Sequence, residues 1–377
     1  MKAHACIPLK DYKSPSLPAQ RAASLWAAKF LSRVSTGSEL IAPNELDDIE
    51  ASHLDALAAP PACKPALEAL ETETSDWLEN PHRSPRVKVF VMPPCDDNDV
   101  IEAWANAHDF SCLKPPKLSD IAAGIKAVSL PKTDQVCVIP RLEDWMIRTY
   151  KGLHMMRALL KAISNSDGRF VIGCNAYAWE FLRRAVRVDH YLPEPITFAP
   201  FEGPDLRDWF AEISDAPQSE TYTFKDQKSG EDILDEQSER GEAYFKTLAA
   251  TSHGIPWVAW SLWRGSLLTK PPTEKDDDKE LVDNLHTLWV SSLQELSLPG
   301  SDSDMSLLVI HSLLIHNGLA ESVLPDVLPN LGNLSVIPLL LDAGILHRQG
   351  GKLKCRPEAY PAIRKGLSAS GFPMGVL

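Results

Sequence analysis

Short, wholly apolar runs alternate with amphipathic segments from residue 86 to about residue 190. "RVKVFVM" predicts a strand and "DVIEAWANAHDF" a helix; "SCLKPP" reads as a short strand or loop and "LSDIAAGIKAV" as a helix. "QVCVIP" is a second apolar strand. "LEDWMIRTYKGLHMMRALLKAIS" is largely helical, with Met155, Leu159, Leu160 and Ile163 on one face. "RFVIGC" is a third apolar strand and "AYAWEFLRRAV" a helix. Strands with no polar face, separated by helices, predict an α/β fold whose parallel sheet is covered on both sides.

On either side the pattern changes. Residues 17–34 fit an amphipathic helix, with Leu25, Ala28, Phe30, Leu31 and Val34 at helical spacing, read as docking on its own protein or as a partner-binding arm. Residues 38–85 are acidic and proline-rich and predict short helices ending in a turn at "NPHRSP". After "YLPEPITFAPF" the strand pattern stops, and residues 204–300 read as helical with two charged loops. There Trp257, Trp260 and Trp263, three apart, predict a buried helical stripe. The last stretch predicts a helix in "MSLLVIHSLLIHNGL" capped by Gly318, a second in "AESVLPDVLP" and a third in "LSVIPLLLDAGIL". A hairpin follows at Gly350–Gly351, then "EAYPAIRKGL". That is a winged-helix plan. The expected domains are an N-terminal helical, proline-rich extension (1–85), an α/β core (86–203), a helical lid or linker (204–300) and a C-terminal winged helix (301–377).

Charge and cysteine content narrow the function classes. The 377-residue chain carries a net charge of −13, which argues against coating nucleic acid, since phosphate neutralisation needs a basic surface. Seven cysteines are scattered without a CxxC pair, as suits a reducing cytoplasm, and Cys137 and Cys174 fall inside apolar strands. The eleven histidines give no HExxH; His108 and Cys112 have ligand-like spacing without two further ligands, so no metal site is expected. No apolar run is long enough to span a membrane, and the basic N-terminus lacks the apolar core of a secretion signal. The expected location is cytoplasmic.

Three points of the α/β pattern bear on chemistry. "VKVFVMPPCDDNDVIEAW" is a strand, a polar loop and a helix start; "VCVIPRLEDW" is an apolar strand followed by Glu143 and Asp144; "FVIGCN" is a strand ending in Asn175. With helices and a winged helix following, this order resembles AAA+ and STAND-type P-loop ATPases, over roughly residues 86–370. The resemblance implies a P-loop-NTPase-like core in which the first loop holds phosphates, the acids after the middle strand hold magnesium and polarise water, and the strand-end Asn senses the γ-phosphate.

Position by position, the phosphate loop departs from that family. Pro94, Cys95, Asp96, Asp97, Asn98 and Asp99 stand where glycines and a lysine would turn N–H groups and an ammonium toward phosphate. Two charges about 5 Å apart repel by ~3 kcal/mol at an effective dielectric near 20, so carboxylates here oppose a triphosphate. Asp99 is expected to cap the helix beginning at Val100. Pro140 and Arg141 occupy the place of the family's acids, with Glu143 and Asp144 displaced beyond them.

The expected function is therefore a degenerate, non-catalytic AAA+-like scaffold, adaptor or regulatory subunit acting through a protein partner, with no cofactor. One alternative is an active ATPase with an atypical loop, which alone would call for ATP and magnesium. Another is a DNA-associated regulator using the basic hairpin residues Arg348, Lys352, Lys354 and Arg356. The apolar third helix offers almost no base-reading side chain, which favours a hairpin that contacts protein. Self-assembly is compatible with the chain.

Overall fold

A computed structural model describes residues 4–17, 46–49, 63–96, 99–123, 130–131, 135–214, 222–271, 286–299, 303–329 and 336–377. The helix expected at 17–34 lies, beyond Leu17, outside these residues, as do Asp97 and Asn98.

In chain order the strands are β1 (Cys6–Pro8), β2 (Asp47–Asp48), β3 (Val87–Met92), β4 (Ser111–Cys112), β5 (Val136–Ile139), β6 (Arg169–Asn175), β7 (Ile196–Phe198), β8 (Thr223–Asp226), β9 (Leu267–Thr269), β10 (Thr287–Val290), β11 (Leu346–Gln349) and β12 (Lys352–Cys355). The helices are α1 (Lys64–Glu79), α2 (Val100–Ala107), α3 (Leu118–Ala123), α4 (Tyr150–Ser164), α5 (Ala176–Ala185), α6 (Gly203–Ser214), α7 (Glu239–Thr251), α8 (Pro256–Arg264), α9 (Ser303–Ile315), α10 (Leu324–Val327), α11 (Val336–Asp342) and α12 (Tyr360–Ala369). They form two compact units, one of residues 14–62 and 200–294, the other of 2–13, 63–199 and 295–377.

The larger unit is built on a six-stranded sheet of order β1-β7-β3-β6-β5-β4. All its pairings are parallel except β1 against β7. The apolar strands account for this: Phe90, Val91, Val138, Ile139, Phe170, Val171 and Ile172 are fully buried, as residues must be when helices cover both faces. Among the described residues of the proline-rich approach to β3 there is α1, with Pro65 in its first turn, where a missing N–H costs nothing. The expected helix at 142–164 is divided: Leu142–Trp145 is a 3₁₀ turn, and α4 starts only at Tyr150, where Thr149 accepts from the Gly152 N–H. Order and register give a mainly parallel α/β sheet.

In the same unit, residues 303–369 run helix, helix, helix, hairpin, helix. Gln349 faces Lys352 across a two-residue turn at Gly350 (φ +56°) and Gly351 (φ +75°), the left-handed backbone that a tight hairpin requires. On α11, Val336, Ile337 and Leu340 are buried, whereas Leu339 and Leu341 are half-buried, because three consecutive leucines cannot share one helical face.

The smaller unit corrects the reading of 204–300 as a helical lid. It contains a four-stranded sheet, β2-β9-β10-β8, parallel between β10 and β8 and antiparallel elsewhere. These strands are two to four residues long, and β2 comes from residues 47–48, so no single window carries a period-two pattern to read. The tryptophan stripe holds: Trp257, Trp260 and Trp263 are buried on α8, with Trp263 stacked on Phe210 at 4.7 Å between centroids.

Candidate functional site

In an open parallel sheet the natural ligand crevice lies beyond the carboxyl ends of the strands, where the strand order reverses. Here β3 is flanked by β6 on one side and β7 on the other, so the crevice opens where β3, β6 and β5 end. Met92 pairs with Asn175 and Ile139 with Ile172, which brings the loops after these strands together. At Gly173 a Cβ would lie 2.1 Å from the Pro140 carbonyl, so only glycine lets the Pro140–Arg141 backbone lie this close to β6.

The described residues of the loop after β3 pack against the chain itself. Pro94, Cys95 and Asp96 are buried, and Cys95 (φ +60°) and Asp99 (φ +48°) both adopt left-handed backbone. Asp99 does not cap α2. In that conformation its side chain accepts no bond from the helix amides; Oδ1 instead accepts from Arg141 Nε at 2.5 Å. Arg141 Nη2 also donates to the Asp96 carbonyl at 2.8 Å. Burial works against the Arg141 charge, but Glu143, Asp96 and Asp99 outweigh it and hold the guanidinium above its ordinary range. A guanidinium thus fills the space beside the loop after β3.

Glu143 is 2% exposed rather than lying in a solvated helix turn. Burial pushes its carboxyl up to about 7, against the pull of Arg141 and with a smaller push from Asp144. Its Oε2 accepts from the Asn175 N–H at 3.1 Å. Asn175 is fully employed: Oδ1 caps α5 by accepting from the Ala178 N–H at 2.8 Å, and Nδ2 donates to the Ile315 carbonyl at 3.3 Å. The cavity left among Met92, Asp96, Asp99, Arg141, Glu143 and Asn175 is about 20 Å³, room for roughly one water. Arg141 is the site residue whose role the sequence reading missed. Its position in place of the family's acids was the available signal, but its partner lies 42 residues away.

Asp144 is half-buried and faces Lys352 Nζ at 3.7 Å. Two other hairpin cations meet acids of this chain, Arg348 with Glu321 at 3.2 Å and Arg356 with Glu358 at 3.3 Å, while Lys354 is half-buried and has an interaction of its own. His108 and Cys112 do not converge as ligands; His108 Nε2 is 2.6 Å from Glu71 Oε2, and its ring stacks on Phe110. Among the described residues no group of three side chains could hold a metal, and no helix is long and apolar enough to cross a membrane. All seven cysteines are free thiols.

No family model and no curated protein matches the chain. Solved structures similar to it include the Thermotoga maritima RuvB Holliday junction branch migration motor (14% identity, 83% of this chain and 98% of that one, TM-score 0.33). Two others are Cdc6p from Pyrobaculum aerophilum (12%, 85% and 99%, TM-score 0.33) and the Aeropyrum pernix ORC2 protein (8%, 86% and 99%, TM-score 0.35).

Proposed function

We propose that this chain is a degenerate, non-catalytic AAA+-like protein that serves as a scaffold, adaptor or regulatory subunit through protein–protein contacts. One observation carries the reading: the crevice beyond β3, β5 and β6 is closed by Arg141, bonded to the Asp96 carbonyl and the Asp99 carboxylate, with about 20 Å³ left over. A triphosphate would have to break that pair and then face the freed Asp99 carboxylate without a loop lysine. Asn175, the one remaining polar strand end, is committed to a helix cap and to the Ile315 carbonyl.

The hairpin supports contact with protein. Arg348, Lys352 and Arg356 are each paired with an acid of the chain, so a nucleic acid would compete with existing ion pairs. The test is affinity capture from the native host with and without ATP and magnesium. A stoichiometric protein partner retained equally in both conditions fits the proposal. Capture that depends on nucleotide contradicts it.

A further inference from the structure

Ala176, Trp179, Glu180 and Arg183, spaced as one side of α5, line a cleft of about 460 Å³ in the larger unit. Leu192 and Pro195, on the approach to β7, form a second wall. Leu9 and Lys10 are tied to that wall: the Leu9 N–H donates to the Pro195 carbonyl at 3.0 Å, and Lys10 pairs with Glu194 at 2.8 Å. Val376 borders the cleft as well, its carbonyl accepting from Arg364 Nη2 at 3.1 Å. Beside it a Cβ on Gly375 would lie 3.3 Å from the Ala176 carbonyl, so this segment is seated on the start of α5. Both the volume and the mainly apolar lining are those of small-molecule pockets, which span about 300–1,000 Å³.

Two features of the lining call for a ligand. Trp179 is 4% exposed, and among the described residues its indole N–H has no hydrogen-bond partner. Unlike the indole nitrogens of Trp260, Trp263 and Trp289 it is not sealed within the protein, so it opens on the cleft that its ring lines. A donor set in an apolar wall is satisfied only when an acceptor enters. Val376 is 43% exposed, one of two large apolar side chains left so open among the described residues, and an occupant of the cleft would cover it. The charged groups of the lining, by contrast, are already paired. Glu180 accepts from Arg183 at 2.9 and 3.0 Å and from Arg184 at 2.6 Å, Lys10 holds Glu194, and Asp189 lies 3.6 Å from Arg187. An ionic ligand would give up hydration here without finding a free counter-charge.

We propose that this cleft binds a small, neutral, mainly apolar molecule whose carbonyl-class acceptor takes the Trp179 N–H. Contact with Leu192, Pro195 and Val376 supplies the affinity, and the indole donor fixes the orientation. The cleft shares no lining residue with the crevice closed by Arg141, so the inference stands apart from the scaffold reading and from any nucleotide binding there.

The test uses the full chain and three probes of related shape: benzophenone, neutral with one carbonyl; diphenylmethane, which lacks the acceptor; and para-benzoylbenzoate, which adds a carboxylate. Proton–nitrogen NMR reads the indole N–H signals, that of Trp179 being the one missing from Trp179→Phe. Benzophenone should bind one-to-one and move the Trp179 signal. Diphenylmethane should bind about fivefold more weakly, the factor for one net hydrogen bond, and para-benzoylbenzoate should also bind more weakly than benzophenone. Trp179→Phe, which keeps a ring in place, should bind the two neutral probes equally. Val376→Asp, at an exposed position, should weaken both without changing the melting temperature. A Trp179 signal indifferent to benzophenone, or equal wild-type affinity for benzophenone and diphenylmethane, overturns the inference. So does a Trp179 signal that ignores benzophenone but moves with a proline-rich peptide, or with protein concentration alone, because the cleft would then be a groove for protein.

Discussion

Arg141 and Asp99 hold one another across the mouth of the crevice: the Arg141 Nε donates to Asp99 Oδ1 at 2.5 Å, and the aspartate takes left-handed backbone to present that oxygen. This pair distinguishes a closing ion pair from a helix cap by a single substitution. As a cap, Asn would replace Asp at little cost; as the partner of a guanidinium, it loses the charge. Asp99→Asn should therefore destabilise the chain by about 1 kcal/mol, a modest figure because Asp99 is about half exposed. Urea denaturation measures it, and a neutral result restores the capping assignment.

Glu143 makes stability depend on pH. With its carboxyl raised to about 7, the folded chain holds a proton that the unfolded chain releases near 4.5. Between those values folding is linked to proton uptake, so this contribution to stability falls as pH rises and levels off above about 7. Glu143→Gln should remove that slope. Relative to wild type it should gain up to about 3 kcal/mol between pH 5 and pH 8, by denaturation at each pH. Parallel profiles would contradict the assignment.

Asn175 has two separable roles. Asn175→Ala loses the α5 cap and the bond to the Ile315 carbonyl, about 1–3 kcal/mol together. Asn175→Asp keeps the cap oxygen but loses the donor and sets a carboxylate beside Glu143, so it should be at least as destabilising. Thermal melting of the two variants checks the order; a near-neutral Asn175→Asp would mean that the Ile315 bond contributes little.

Gly173→Ala tests the close approach of the two strand ends. Its Cβ would lie 2.1 Å from the Pro140 carbonyl and 3.1 Å from Ile101. Backbone must shift, at about 1–3 kcal/mol or more, and the shift displaces Arg141 from Asp99. Reduced stability with unchanged secondary structure by circular dichroism is the expected outcome.

The larger sheet was legible because β5 is apolar throughout, β3 apart from Lys88 and β6 apart from its ends Arg169 and Asn175, and helices flank them. The hairpin was legible from Gly350–Gly351, whose backbone only a tight turn demands. What escaped depends on pairing between distant segments. The smaller sheet takes a two-residue strand from residues 47–48 and short strands from three later places. The Arg141–Asp99 pair likewise follows from the register that places β5, β6 and β3 side by side, which no local pattern encodes. Asp99 looked like a cap because caps are read from the residue type before a helix, whereas its side-chain direction was decided by an arginine 42 residues away.

The most direct test of a crevice closed to nucleotide is calorimetric titration of the full chain with ATP and magnesium. The wild type should show no stoichiometric binding in the low-micromolar range. Tight one-to-one ATP binding would contradict the account, because the triphosphate would then occupy the space that Arg141 fills.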